Sequence, residues 1–374
     1  MHWIAAALVL GACAYCILVL IAAASYLRQP TPRLRGTVPI SILKPLAGAE
    51  PNLERHLRTC FEQQYPRFEI LFAVRHPADP AVPIVERLQA EYPHVESRLL
   101  IVGEPPWPNA KTWSLEQMTA QARFDLLAMC DSDVSVGNDF LRRIGAEFEN
   151  PGLALTTCPY RAIPAPSLWS ELEALGANTE FIAGVLAARL LEGMRFAVGP
   201  CIAARKQAIS AIGGWKRVSE HLAEDFVLGQ YAAEAGLGVG LSLYVVDHHI
   251  GGPSLRENFS HRLRWCRSTR RSRPAGYAGQ LFTNPTPLIL LLLLLKPAWF
   301  HLCAAAFLVR CAAARVTATS VLKRPLSVRE WFLLPIEDLL SFAFWIAGFF
   351  GNTILWRGKR YQLHPDGRFT PLPR

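Results

Sequence analysis

From Trp3 to Ala24 the chain carries no charged residue. About 20 such residues cross a bilayer core as a helix, so 1–27 is read as a membrane anchor. The run is longer than a cleaved leader needs and no basic stretch precedes it, which favours an uncleaved segment. Two further apolar blocks lie near the other end. Pro287 to Val309 is interrupted by Lys296-Pro297, and Phe332 to Trp356 contains Glu337 and Asp338. Residues 285–356 are therefore expected to hold membrane segments, as one kinked helix or two short ones followed by a long one. Between the ends, 38–252 has ordinary alternating polarity and is expected to form a water-facing domain.

Inside that domain short apolar runs alternate with amphipathic ones. Strands are expected at 38–43, 68–74 and 98–102, and the run Leu126 to Cys130 ends in Asp131. Helices are expected from an Asn52 cap to Gln64, from Ala81 to Glu91, and from Asn109-Ala110-Lys111 to Ala122. The second half continues with strands at 153–157, 196–204 and 239–246, and helices at 167–191, 206–212 and 225–235. Strands separated by helices of this length predict an α/β fold with a mostly parallel sheet and right-handed crossovers. Neither G-x-G-x-x-G nor G-x-x-x-x-G-K-[ST] occurs where a strand meets a helix, which argues against a Rossmann dehydrogenase or a P-loop NTPase.

The 374 residues are 51% hydrophobic and 18% charged, too apolar for a typical soluble enzyme, with a net charge of +9. The basic residues cluster beside the apolar blocks: Arg28, Arg33 and Arg35; Arg310, Arg315, Lys323 and Arg324; Arg357, Lys359 and Arg360. Such flanks mark cytoplasmic ends, so the central domain is expected to face the cytoplasm, with 357–374 as a basic tail. The charge suits an anionic phospholipid leaflet. Nucleic acid is not an expected partner, because basic residues are not interleaved with aromatics across the central domain. Nine scattered cysteines, with Cys13 and Cys16 inside the anchor, suit free thiols in a reducing compartment.

The candidate chemistry starts at Asp131-Ser132-Asp133. Alternate residues of an extended segment point the same way, so both carboxylates can address one divalent cation, and strand ends are where α/β sheets bind ligands. A cation there, Mg2+ or Mn2+, would hold a diphosphate. The plain alternative is a solvated acidic turn. Asp79 follows the second strand and could accept hydrogen bonds from a uracil or ribose, or simply shape an Asp-Pro turn. Lys111 opens a helix, where a cation and a helix N-terminus together suit phosphate. Asp225 stands at another helix start, as a cap or as the base that takes a hydroxyl proton. Residues 254–280 read as a basic interfacial helix in which Arg264, Arg267 and Arg271 share a face flanked by Trp265. One of these arginines could pair with a leaving diphosphate. His248 and His249 point to opposite faces of a strand and are read as structural.

The order of these parts resembles the D, D, D, (Q/R)-x-x-R-W series of the ceramide glucosyltransferase family (glycosyltransferase family 21). Asp79 in Ala78-Asp79-Pro80-Ala81, Asp131-Ser132-Asp133, Glu224-Asp225 and His261-x-x-Arg264-Trp265 carry it. Leu43-Lys44-Pro45-Leu46 and Trp356-Arg357-Gly358-Lys359-Arg360-Tyr361 extend it over nearly the whole chain. Pro77-Ala78-Asp79-Pro80-Ala81 and the run from His261 to Tyr277 are most similar to the bacterial hopanoid-biosynthesis-associated members. The resemblance implies a GT-A domain, a UDP-sugar donor and a divalent cation. It gives Asp79 to the uridine, Asp131 and Asp133 to metal and diphosphate, and Asp225 to the catalytic base. Arg264 and Trp265 would close the site around diphosphate and acceptor. His261 departs from the family's Gln or Arg, which touches acceptor contacts. The implied enzyme is a membrane-bound inverting hexosyltransferase acting on a lipid hydroxyl of a ceramide or a hopanoid polyol, at a bacterial inner membrane. A processive polysaccharide synthase and a non-catalytic lipid-binding scaffold are the rivals, and no oligomeric state is readable.

Overall fold

The computed structural model describes residues 1–356 and 358–373, so Arg357 of the basic flank lies outside the described residues. The chain runs α1 (His2–Leu27), β1 (Ile40–Pro45), α2 (Leu53–Phe61), β2 (Phe68–Val74), α3 (Val82–Glu91), β3 (Ser97–Ile101), α4 (Ala110–Gln121) and β4 (Leu126–Cys130). It continues through β5 (Val134–Ser135), α5 (Phe140–Glu147), β6 (Leu153–Thr157), β7 (Tyr160–Pro164), α6 (Leu168–Gly176), α7 (Ile182–Glu192), β8 (Cys201–Arg205) and α8 (Lys206–Ala211). Then come α9 (Glu224–Glu234), β9 (Gly238–Leu241), β10 (Val246–Ile250), α10 (Leu255–Ser272), α11 (Pro274–Gly279), α12 (Pro285–Leu295), α13 (Phe300–Arg315) and α14 (Val328–Gly348). A final antiparallel sheet comprises β11 (Thr353–Trp356), β12 (Lys359–Leu363) and β13 (Phe369–Pro371).

The main sheet has the order β3-β2-β1-β4-β8-β6-β9. β1 pairs in parallel with both β2 and β4, and only β8 runs against its neighbours β4 and β6. Both faces are covered, so apolar residues dominate the central strands on both sides. Ile42, Phe72 and Ala128 fill one face, and Leu43, Leu71 and Leu127 the other. The chain leaves β1 towards β2 and β3, then returns to place β4 on the opposite side. That reversal opens a crevice at the carboxyl ends of β1 and β4, where open α/β sheets bind ligands. Asp131 is the residue that follows β4.

Four helical segments among the described residues are long and apolar enough to cross a membrane: His2–Leu27, Leu168–Glu192, Pro297–Val321 and Val328–Gly348. A fifth candidate is the pair Pro274–Phe282 and Pro285–Leu295, bent by 48°. The second segment was expected inside the water-facing domain. It joins α6 and α7 through a π-turn at Ala177–Phe181 and packs on α1 and α14. Glu173 and Glu180 obscure that role in the sequence, but both are satisfied by neighbouring side chains. Glu180 Oε1 accepts from Thr283 Oγ1 at 2.9 Å and Asn284 Nδ2 at 2.8 Å.

The same principle explains the carboxylates inside the last apolar block. Asp338 is fully buried and meets Arg310 at 2.8 Å, with Thr286 Oγ1 donating to it at 2.7 Å. Arg310 is thus a buried partner and not a flanking charge. Glu337 takes the guanidinium of Arg262. Removing one member of such a pair strands the other, a cost of about 3–5 kcal/mol. Asp338→Ala should therefore unfold at a clearly lower temperature than the parent in detergent micelles, whereas Arg310→Met with Asp338→Leu should recover most of the loss. A melting curve for each variant checks this.

The last apolar block ends sooner than the sequence suggests. α14 stops at Gly348, and 353–356 is a strand, so the boundary expected at 356 cuts a β-hairpin. Two arginines of the expected basic face, Arg267 and Arg271, secure this turn together with Arg270. Arg267 Nε donates to Phe350 O at 3.0 Å, Arg270 Nη2 to Gly351 O at 3.0 Å, and Arg271 to Asn352 Oδ1. The terminal sheet then packs Ile354, Leu363 and Phe369 against Leu222, two residues before α9.

Candidate functional site

The turn after β4 is fixed by its backbone. Lys44, fully buried at the end of β1, donates from Nζ to Asp131 O at 2.7 Å and Val134 O at 2.9 Å. The Asp131 N–H donates to Pro200 O at 3.0 Å, and the His249 N–H donates to Asp133 O at 2.9 Å. Held by β1, by β10 and by the residue before β8, the turn keeps its two carboxylates in place without using either of them.

Those carboxylates have different partners. Asp131 Oδ1 lies 2.6 Å from Lys111 Nζ, which also lies 3.2 Å from Glu224 Oε1. Asn109 sets this arrangement. Its Oδ1 accepts from the Lys111 N–H at 3.1 Å to cap α4, and its Nδ2 donates to Glu224 Oε2 at 3.1 Å. Asp133 Oδ2 instead lies 3.2 Å from His248 Nε2.

Asp225 completes the cleft, which it lines with Pro45, Lys111, Asp131, Gly199 and Glu224. α9 begins at Glu224 with Ala223 as its cap, so Asp225 belongs to the first turn and is not the capping residue. Gly199 faces it so closely that a Cβ there would sit 2.8 Å from Asp225 Oδ2.

The electrostatics follow from this crowding. Burial, then the neighbouring Glu224, pushes the Asp225 carboxyl up to about 7. Burial also raises Asp131, against the pull of Lys111. Burial acts to raise Asp133 as well, but His248 and the nearby lysines overcome it and hold the carboxyl at about 2. For Lys111 burial favours the neutral form, and Asp131 and Glu224 outweigh it to keep the ammonium charged.

A divalent cation fits this donor set. Asp131 and Asp133 supply hard oxygens, and Asp133 Oδ1 is buried without a partner. Among the described residues no group of three or more His, Cys, Asp or Glu side chains is assembled that could hold a metal. The rest of a coordination shell would fall to phosphate oxygens and water, as is usual for Mg2+ beside a nucleotide.

The cleft thus brings together Lys111, Asp131 and Asp225, with Asp133 beside them. The other expected residues stand apart from the cleft lining among the described residues. Asp79 accepts from the Gly48 N–H at 3.0 Å and the Ala81 N–H at 2.9 Å, which ties the loop after β1 to the loop after β2. Arg264 is half-buried on α10, and Trp265 leans on His261 with ring centroids 4.3 Å apart. Lys44, Glu224 and His248 were not assigned from sequence. Glu224 adjoins Asp225 and was visible. The opposed facing of His248 and His249 hides the role of His248 in the sequence, and the two do have separate partners: His248 Nε2 meets Asp133, whereas His249 Nε2 meets Ser135 Oγ at 2.7 Å.

Comparison with known proteins is consistent along the whole chain. The model of glycosyl transferase family 21 matches residues 3–369. Ceramide glucosyltransferase 1 of Caenorhabditis elegans is 25% identical over 239 residues, 63% of this chain and 50% of that protein. The ceramide glucosyltransferase of Komagataella phaffii is 33% identical over 117 residues, 30% of this chain and 22% of that protein. The chain therefore spans at most about half the length of these relatives in the matched regions. Among solved structures, the mannosyltransferase PcManGT from Pyrobaculum calidifontis, in complex with GDP-Man and Mn2+, is similar with a TM-score of 0.56 at 17% identity. That likeness covers 93% of this chain and 97% of PcManGT and establishes a shared fold of the GT-A type.

Proposed function

The chain belongs to glycosyl transferase family 21, and we propose that it transfers a hexose from a UDP-sugar to the hydroxyl of a membrane lipid with inversion at the anomeric carbon. The observation that carries this reading is the cleft where Lys111, Asp131 and Asp225 converge at the switch point of the sheet. The lipid acceptor is supported by the membrane-length apolar helices of the chain and by the ceramide glucosyltransferase relatives. Basic flanks at 28–35 and 359–360 support a catalytic domain on the cytoplasmic side.

Each residue has a task in this scheme. Asp79 binds the uridine, although its present bonds hold two loops together. Asp131 and Asp133 would hold a Mg2+ or Mn2+ ion, which when bound neutralises charge on the diphosphate. Lys111 adds a fixed positive charge on the same side, and Arg264 and Trp265 close over diphosphate and acceptor. Glu224 is tied to Lys111 and Asn109, which leaves Asp225 as the carboxylate available to take the acceptor proton. The hydroxyl oxygen then bonds to the anomeric carbon as the bond to UDP breaks. Asp131 and Glu224 are both engaged by Lys111, and a lone base in Asp225 supports inversion.

Gly199 gives a local check. Gly199→Ala should shift the Asp225 carboxylate, because the added carbon cannot share its place. A displacement near 1 Å costs about 100-fold in rate, so kcat should fall between about 10- and 100-fold with an unchanged melting temperature. The reading itself is tested by incubating purified protein with radiolabelled UDP-glucose or UDP-N-acetylglucosamine and ceramide or a hopanoid polyol. Label in the lipid phase supports it, and label in a water-soluble polymer would favour a polysaccharide synthase.

A further inference from the structure

Glu173 of α6 has no place in the donor chemistry, yet it is a carboxylate buried among apolar helices, its side chain only 3% exposed. Burying such a group in a membrane-facing segment is costly, so what it holds matters. Two side chains of α10 one turn apart meet it. Asn258 Nδ2 donates to Oε2 at 2.5 Å, and His261 Nδ1 lies 2.8 Å from Oε1. A carboxylate at Nδ1 assigns the proton of a neutral imidazole to that nitrogen, so Nε2 carries the lone pair.

The ring is not closed in. The His261 side chain is 36% exposed, and Trp265 packs beside it one turn further on. Glu173 also belongs to the surroundings of the donor site. α6, which carries Glu173, packs on β7, whose first residue is Tyr160. Tyr160 in turn stands edge-on to His248, the partner of Asp133, with centroids 5.1 Å apart. A lone pair beside an aromatic face suits a neutral headgroup with hydroxyl hydrogens to donate. It does not suit a phosphodiester headgroup, which has no hydrogen on its phosphate to offer and is anionic like Glu173.

We propose that Glu173, Asn258 and His261 form an acceptor subsite in which Nε2 of His261 accepts a hydrogen bond from a headgroup hydroxyl of the membrane lipid. Glu173 and Asn258 are positioning residues that set the ring's tautomer and angle. The proposal rests on the transfer to a lipid hydroxyl argued above, and it gives the histidine at the usual Gln or Arg position a device of its own.

The test uses the full chain in detergent micelles, with UDP-glucose and a short-chain ceramide, and with UDP-N-acetylglucosamine and a hopanoid tetrol. His261→Leu should raise the acceptor KM about 10-fold and leave the donor KM unchanged, the scale of one lost hydrogen bond to a held group. His261→Gln keeps an accepting oxygen and should stay within about threefold of the parent. Glu173→Gln can reverse the tautomer, so it should raise the acceptor KM alone but add less than about twofold to His261→Leu. If Glu173→Gln does not fold, the contrast between His261→Gln and His261→Leu carries the test. An acceptor KM unchanged in His261→Leu, with the parent active, would overturn the subsite alone. A parent that glycosylates neither lipid would overturn the proposed function and the subsite with it.

Discussion

Asp225→Asn is expected to slow sugar transfer by about 10²–10⁴-fold, the range of a lost general base, while UDP-sugar binding stays within a few fold. Asparagine keeps the shape and removes the proton acceptor. The pH dependence gives an independent sign. Burial and Glu224 push this carboxyl up to about 7. A base works ionised, so kcat/KM of the parent should climb as pH rises through about 7 and level off above it. The residual rate of the variant should lack that limb. Stability should move the other way. A carboxyl raised in the folded state stabilises below its unfolded value and loses that contribution as pH rises through about 7. At about pH 8 the Asn variant should therefore melt no lower than the parent, which separates lost chemistry from lost folding. A parent profile that stays flat between about pH 5 and pH 9 would remove Asp225 from the role of base.

Asp133→Asn has the second largest expected effect, on the cation and not on the proton. Its Oδ1 is buried without a partner while Oδ2 meets His248, so the group is held ready by one oxygen and available through the other. The variant should need at least about 100-fold more Mn2+ for half-maximal transfer. His248→Ala removes only the outer partner and should cost about 10–100-fold in metal affinity, the usual scale for such support. Metal titrations by activity and by Mn2+ paramagnetic resonance check both. Equal Mn2+ dependence in parent and Asp133→Asn would show that the pair does not hold the ion.

The legible parts of the fold were those governed by local pattern. The run Leu126–Cys130 is apolar on both faces because its strand is covered on both faces, and its end locates Asp131 without any tertiary knowledge. α4 declares its start through Asn109, which places Lys111. Parts set by pairing at long range were less legible. Glu173 and Glu180 make 168–192 look like a soluble helix, and only Asn258, His261, Thr283 and Asn284 neutralise that appearance. Arg264, Arg267 and Arg271 suggest a membrane-surface stripe until the Phe350 carbonyl and the Asn352 side chain are seen to accept from two of them, Arg267 and Arg271. The terminal sheet was missed because its strands have only 3–5 residues each and begin directly behind an apolar helix. For the site, the type of each residue was readable from sequence, but the division of labour between Glu224 and Asp225 was not. It depends on the reach of Lys111 and Asn109 across the cleft.

The central claim is that a lipid receives the sugar, and lipid mass spectrometry tests it most directly. Membranes of a host supplied with ceramide or with a hopanoid polyol should be extracted after expression of the parent chain and of Asp225→Asn. The parent should yield a new lipid heavier by one hexose or one N-acetylhexosamine, and the variant should yield none. Identical lipid profiles from both, under expression that gives folded protein, would contradict the account.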